Sequence, residues 1–203
     1  MRIKICGLFR ELDIEYINEA RPDYSGFVFA ESRRQVSPAF AARLRQRLAD
    51  GIVPVGVFVN APIKDIAALY HDGVISIAQL HGGEDKAYIA ALKEESGLGS
   101  APIPVIKVIK SEELERGIPQ TAGADYYLFD SGAGSGKTFN WDILNQHNFA
   151  KPWFLAGGIG PDNITQAMAR NPFAVDISSG AETDGVKDRE KILQLTAMAK
   201  KRK

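Results

Sequence analysis

Runs rich in Val, Ile and aromatic side chains recur along the chain, each of a length that suits a buried strand. They read I-K-I-C (3–6), G-F-V-F (26–29), V-P-V-G-V-F-V (53–59), I-S-I-A-Q-L-H (75–81), I-P-V-I-K-V-I (103–109), Y-Y-L-F-D (126–130), W-F-L-A (153–156) and A-V-D-I-S-S (174–179). Between them, segments 11–20, 38–49, 62–72, 84–96, 111–122, 161–170 and 187–200 mix apolar and charged positions. Their three- and four-residue intervals predict amphipathic helices. Ser37-Pro38, Ala61-Pro62 and Gly160-Pro161 put proline near the first turn of three of them, where its fixed φ suits a helix start. The stretch after the sixth run is less regular, with a Gly-rich loop and a short helix over 141–148. Strands alternating with helices predict parallel βαβ units.

Eight strands favour a closed (β/α)8 TIM barrel over an open doubly wound sheet. An open sheet more often carries G-x-G-x-x-G after its first strand, and here that strand ends in C-G-L. Such barrels typically take about 250 residues, with about 200 near the lower limit, and this chain has 203. With no linker, low-complexity tract or short repeat, residues 1–203 are read as one barrel domain.

Composition narrows the function classes. A 45% hydrophobic content is that of an ordinary globular protein. Twenty-five basic and 25 acidic side chains cancel, so no global field recruits nucleic acid or an anionic membrane. The basic end, Lys200 to Lys203, reads as a helix terminus that complements the helix dipole. One cysteine excludes an internal disulfide and a multi-cysteine zinc site. The start M-R-I-K-I-C-G lacks the pattern of a signal peptide. No window approaches the roughly 18 apolar residues of a membrane span, so a soluble, cytoplasmic protein is expected.

Barrels carry their chemistry at the C-terminal ends of the strands, so polar residues there are informative. Alternation puts Lys4 with Cys6, Gln79 with His81, and Asp176 with Ser178 on one face. Lys107 is expected to join Lys4 and Asp176 inside the barrel as a partly paired charge cluster, or to serve as a structural ion pair. Cys6 closes the first strand: by itself it is either a small buried hydrophobe or, as thiolate, a base. Asp130 closes the sixth in L-F-D-S-G-A-G-S-G-K-T; it is a general acid if burial keeps it protonated, or else a turn-fixing carboxylate. Gly132, Gly134 and Gly136 suit a mobile loop over the mouth. The G-S-G-K-T fragment lacks the full spacing of an ATP phosphate loop.

The last two strands run into A-G-G-I-G-P-D-N-I and S-S-G-A-E-T. Phosphate in such barrels is commonly held after strands 7 and 8, which makes Gly157, Gly158, Ser179 and Gly180 candidate anion ligands. Arg33 and Arg34, after the second strand, are either solvated or able to fork onto a carboxylate. His81 is a ligand, a substrate contact or an interior hydrogen-bonded residue. Three scattered histidines make no metal site.

Taken together these residues resemble the phosphoribosylanthranilate isomerase family of tryptophan biosynthesis. The motifs run in order through nearly the whole chain: K-I-C-G-L, G-F-V-F with S-R-R and S-P, V-G-V-F-V-N, Q-L-H-G, L-F-D-S, G-S-G-K-T-F-N-W, L-A-G-G-I with P-D-N-I, and V-D-I-S-S-G-A-E-T with G-V-K-D. No one of them is decisive; the ordered set is specific. The resemblance implies a barrel with no cofactor and no metal. Its reaction would be the Amadori rearrangement of N-(5-phosphoribosyl)anthranilate to 1-(2-carboxyphenylamino)-1-deoxyribulose 5-phosphate. It further implies Cys6 as general base, Asp130 as general acid and Arg34 as the holder of the anthranilate carboxylate. Gly157, Gly158, Ser179 and Gly180 would hold the phosphate, with His81 and Asp176 as further substrate contacts. The implied partner is this small molecule, with no nucleic acid and no membrane, and the chain acts as a monomer or a homodimer.

Two positions depart from the family pattern: Asn140 stands where F-D-W is usual, and the loop reads G-A-G-S-G-K-T rather than a G-G-T-G type. Both bear on loop closure rather than on the acid or base. The rivals are a related sugar isomerase of histidine biosynthesis, which would carry Asp in place of Cys6, and a metal-dependent pentose phosphate epimerase. A non-catalytic barrel that binds a phosphorylated ligand is the third.

Overall fold

The computed structural model describes residues 1–115, 123–131 and 140–201. Its order is β1 (Arg2–Cys6), α1 (Glu11–Ala20), β2 (Tyr24–Val28), α2 (Pro38–Arg47), β3 (Val53–Phe58), α3 (Ile63–His71), β4 (Ile77–Leu80), α4 (Lys86–Ser96), β5 (Val105–Lys110), α5 (Ser111–Glu115), β6 (Tyr126–Asp130), β7 (Trp153–Leu155), α6 (Ile164–Ala169), β8 (Ala174–Ile177), β9 (Glu182–Thr183), β10 (Val186–Lys187) and α7 (Arg189–Lys201). Strands β1 to β8 pair in parallel in chain order, and β8 returns to β1 to close the barrel. The closed barrel expected from the strand count is the architecture found.

Alternation along each strand sorts side chains into two cores. Ile3, Ile5, Phe27, Ala78, Leu80, Phe129, Val175 and Ile177 face outward and join the helices in one large cluster. Val55, Ile77, Ile106, Val108, Leu128, Phe154 and Ala174 face inward and fill the barrel. Tyr24 and Tyr126 meet Phe154 edge-on at 5.4 and 5.8 Å. These rings come from the starts and middles of their strands, so the lower barrel is packed and the polar residues remain at the upper mouth.

The same parity corrects one expectation. Lys107 shares the outward face of Val105 and Ile109, because the inward positions of β5 are Ile106 and Val108. It does not join Lys4 and Asp176. Its Nζ donates to the Gly82 carbonyl at 2.7 Å and pairs with buried Glu84 at 3.0 Å. Glu84 in turn accepts the N–H groups of Asn60 and Gly82 at 2.7 and 2.8 Å, so the pair fixes the loop that begins at His81.

Several ends differ from the sequence reading. Helix α2 starts as expected, with Pro38 in the first turn and the Ser37 hydroxyl accepting the Phe40 N–H. Helix α6 begins three residues later than the pattern predicts. Asn163 holds the preceding turn instead, accepting the Gly160 N–H and donating to the Gly158 carbonyl, in the way Asn side chains compete with helical hydrogen bonds. Lys187, expected to open the last helix, instead joins Val186 in a strand that pairs antiparallel with 182–183. Asp184-Gly185, both at positive φ, turns this hairpin, and a D-G dipeptide was its available signal. The second half of the 111–122 segment, the loop containing Gly132, Gly134 and Gly136, and Arg202 and Lys203 of the basic end lie outside the described residues. No helix among the described residues is long and apolar enough to cross a membrane.

Candidate active site

A pocket at the C-terminal mouth of the barrel brings together residues from seven strands and their loops, with Val57 of β3 among the apolar ones. Cys6 comes from β1, Arg34 from the loop after β2, Gln79 and His81 from β4 and its end, Asp130 and Ser131 from β6 and its end, Gly157 and Gly158 from the loop after β7, and Asp176, Ser178 and Ser179 from β8 and its loop. A larger depression of about 1160 Å³ lies at the opposite end, around Arg2, Asp23, Trp153 and Phe173. Only the mouth gathers acid, thiol and imidazole groups, so size does not decide between them. Among the described residues no group of three or more His, Cys, Asp or Glu side chains could hold a metal ion.

Cys6 ends β1 with 7% of its surface exposed. Its strand neighbour is Gly26, where an added Cβ would lie 2.6 Å from the sulfur; the glycine makes room for the thiol. Burial pushes the Cys6 thiol above its usual range, and the Lys4 ammonium beside it only partly opposes that shift. Lys4 is fully buried, and its Nζ donates to both Asp176 oxygens at 3.0 Å. Burial, the largest influence, favours loss of the Lys4 proton, but Asp176 and Cys6 together outweigh it and keep the ammonium charged. Removing one member of such a pair leaves an uncompensated buried charge.

Asp130 is buried at the end of β6, with its Oδ2 3.5 Å from His81 Nε2 and its Oδ1 3.4 Å from the Ser131 hydroxyl. His81 lies beyond the end of β4 and lines the pocket rather than the apolar core. Gln79, two residues before it, is buried with an Oε1 that finds no hydrogen-bond partner among the described residues. The sequence placed Gln79 on the polar face without giving it a role.

The loops after β7 and β8 make the other wall. Gly157 and Gly158 adopt φ of 88° and 64°. Ser178–Ser179 leads into a 3-10 turn over Ser179–Ala181. Among the described residues, the N–H groups of Gly157, Gly158, Ser179 and Gly180 are not used in turn or cap hydrogen bonds to the backbone, and such groups are suited to an anion. Gly180 itself does not line the pocket; it lets the two loops touch. A Cβ there would lie 1.9 Å from the Ile159 carbonyl and 2.8 Å from Gly160 Cα. Gly180→Ala is therefore expected to cost about 1–3 kcal/mol of stability, the usual range for overpacking, and to weaken inhibition by inorganic phosphate. A melting curve and a phosphate titration check both.

Arg34 reaches the pocket, but not with a vacant fork. Its Nε and Nη2 donate to the two oxygens of Glu182 at 2.6 and 2.9 Å. Arg33 stands behind it, more than half exposed and also on Glu182. Glu182 escaped the sequence reading; the only hint was a carboxylate just after the S-S-G turn. Asn140 caps the 3-10 turn over Trp141–Gln146, its Oδ1 accepting the Asp142 N–H at 3.0 Å. An aspartate carboxylate would serve that cap equally well, so this departure from the family pattern leaves the local structure intact.

Residues 3–197 match the family model described as N-(5'phosphoribosyl)anthranilate (PRA) isomerase. The N-(5'-phosphoribosyl)anthranilate isomerase of Endomicrobium trichonymphae is 46% identical over 199 residues, covering 95% of each chain. A solved structure of monomers of the dimeric isomerase of Thermotoga maritima superposes with a TM-score of 0.84 at 32% identity, covering 99% of each chain. Another solved isomerase, in complex with reduced 1-(o-carboxyphenylamino)-1-deoxyribulose 5-phosphate, gives 0.83 at 31% identity, again over 99% of each chain.

Proposed function

The chain belongs to the N-(5'-phosphoribosyl)anthranilate isomerase family, and from that membership we propose how its own residues carry the reaction. It is an enzyme of tryptophan biosynthesis that isomerises phosphoribosylanthranilate to the carboxyphenylamino deoxyribulose phosphate. The observation that carries the assignment of roles is the meeting, in one pocket, of Cys6 and Asp130 with the two glycine-bearing loops. Asp130 protonates the ring oxygen of the ribose, and the furanose opens to an iminium. That cation acidifies the proton on the adjacent carbon, and the Cys6 thiolate removes it to give an enolamine, which tautomerises to the aminoketose.

The loops after β7 and β8 hold the phosphate through their N–H groups, and Arg34 meets the anthranilate carboxylate. His81 and Asp176 complete the pocket as substrate contacts, while Asp176 also keeps Lys4 beside the thiol. Holding both anionic ends leaves the reacting carbon little freedom relative to Cys6, which lowers the entropic part of the barrier. We place this chemistry in the cytoplasm, carried out by a single barrel domain that acts as a monomer or a homodimer. Continuous loss of substrate fluorescence with the purified chain is the test. Turnover is expected; saturable binding without product would reject the reading.

The raised Cys6 thiol has a measurable consequence. In the substrate-free protein the thiol is expected to ionise above the ordinary free-thiol pKa of about 8.5, since burial disfavours the charged form. Little thiolate is then present in the substrate-free protein at neutral pH; the iminium formed on the substrate supplies the positive charge that favours ionisation, with the thiol proton passing to solvent before the adjacent carbon is deprotonated. With one cysteine in the chain, the ultraviolet absorbance of the thiolate, wild type minus Cys6→Ala, reads this directly. A midpoint at or below the ordinary value would contradict it.

A further inference from the structure

Glu182 is the hub of a buried charge network that links the two sides of the pocket. Its carboxylate, with a side chain only 3% exposed, takes Arg34 Nε at 2.6 Å, Arg33 Nη2 at 2.6 Å and Lys187 Nζ at 2.7 Å. Lys187, on the paired strand β10 and itself buried, also donates to the Ser178 carbonyl at 3.0 Å. The Ser178 hydroxyl donates to the Cys6 carbonyl at 3.2 Å. A continuous chain of polar contacts therefore runs from Arg34 through Glu182 and Lys187 to the loop after β8 and the end of β1. The Arg34 stem is confined on its other side by Gly7, where a Cβ would lie 2.4 Å from Arg34 Cδ.

A guanidinium has five N–H donors in a planar fork. Glu182 engages two of them, one on Nε and one on Nη2, which leaves the Nη1–Nη2 end for a ligand. Three cations around one carboxylate also leave positive charge in excess beside a pocket that receives an anion. Burial pushes the Glu182 carboxyl up, but its hydrogen bonds from Arg34 and the charge of Lys187 bring it below its usual range, so the hub stays ionised.

We propose that Glu182 is a positioning residue for the substrate's aromatic carboxylate: it takes one edge of Arg34 so that the end-on edge meets the carboxylate. The proposal rests on the reading of Arg34 as the carboxylate contact. A purely structural Glu182 would only hold the β9–β10 hairpin.

The test uses the full chain as wild type, Glu182→Gln, Arg34→Met and the double variant. Binding of anthranilate, followed by its own fluorescence, is compared with inhibition by inorganic phosphate and with KM and kcat for phosphoribosylanthranilate. Glu182→Gln is expected to weaken anthranilate binding and raise KM roughly tenfold, the size of a weakened charge-assisted hydrogen bond. Phosphate inhibition and kcat should move far less. In the Arg34→Met background the Glu182→Gln effect should vanish, because the two act as one unit. Unchanged anthranilate binding, equal loss of anthranilate and phosphate, or additive effects in the double variant would each overturn the proposal. If Glu182→Gln does not fold, Glu182→Asp keeps the charge, withdraws it by one methylene and carries the same comparison. Absence of turnover in the wild type would reject the assigned function, whereas turnover with no selective anthranilate effect would reject the positioning role alone.

Discussion

Replacing Cys6 by alanine is expected to lower kcat roughly 10²–10⁴-fold, the usual loss on removing a general base. Substrate binding should change little, because the proposed phosphate and carboxylate contacts lie on other loops. The fold should also survive, since the Lys4–Asp176 pair beneath the thiol at 3.0 Å is left intact. Cys6→Ser separates proton chemistry from packing: an alcohol of similar size ionises far less readily than a thiol, so this variant should be nearly as impaired. Steady-state kinetics on both variants, with melting curves, checks the expectation. Near-native turnover in Cys6→Ala would falsify the assignment of the base.

Asp130→Asn is expected to cost a comparable roughly 10²–10⁴-fold in kcat. Asparagine keeps the size and the local contacts of the side chain beside Ser131 and His81, but its amide has no acidic proton to give to the ribose ring oxygen. Ring opening, rather than deprotonation, should become the slow step. The two variants therefore differ in what they do to a substrate whose ring is already open: Asp130→Asn should process it better than Cys6→Ala does. Retained activity on the natural substrate would move the acid role to Asp176, the other carboxylate lining the pocket.

Much of the architecture was legible because it is local. Alternation predicted that Lys4 and Cys6 share the inner face of β1 and that Asp176 and Ser178 share that of β8, and the paired strands keep that parity. It misled at Lys107, where the run 103–109 was read without locating its inner face. Ile106 and Val108 take the interior, and the lysine goes outward to Glu84. Glycine pairs after the last two strands marked candidate anion loops, but they did not show that Gly180 serves loop contact with Ile159 rather than the pocket wall. The Arg34 side chain was visible as a candidate; its partner was not. Glu182 lies 148 residues away in the chain, and no local pattern announces a contact of that range.

Taken alone, the sequence determined the eight strands, most helix positions, the placing of Cys6 and Asp130 at strand ends, and the family resemblance. These follow from periodicity and short motifs, which depend on neighbours within a few residues. Tertiary structure decided the rest: that Lys4 meets Asp176, 172 residues away, beside the thiol; that burial raises the thiol; and that Arg34 comes to the pocket with one edge already engaged. The physical reason is barrel closure. When β8 pairs with β1, charges at opposite ends of the chain become neighbours in a water-poor interior. There their protonation and orientation depend on one another rather than on the residues beside them in sequence.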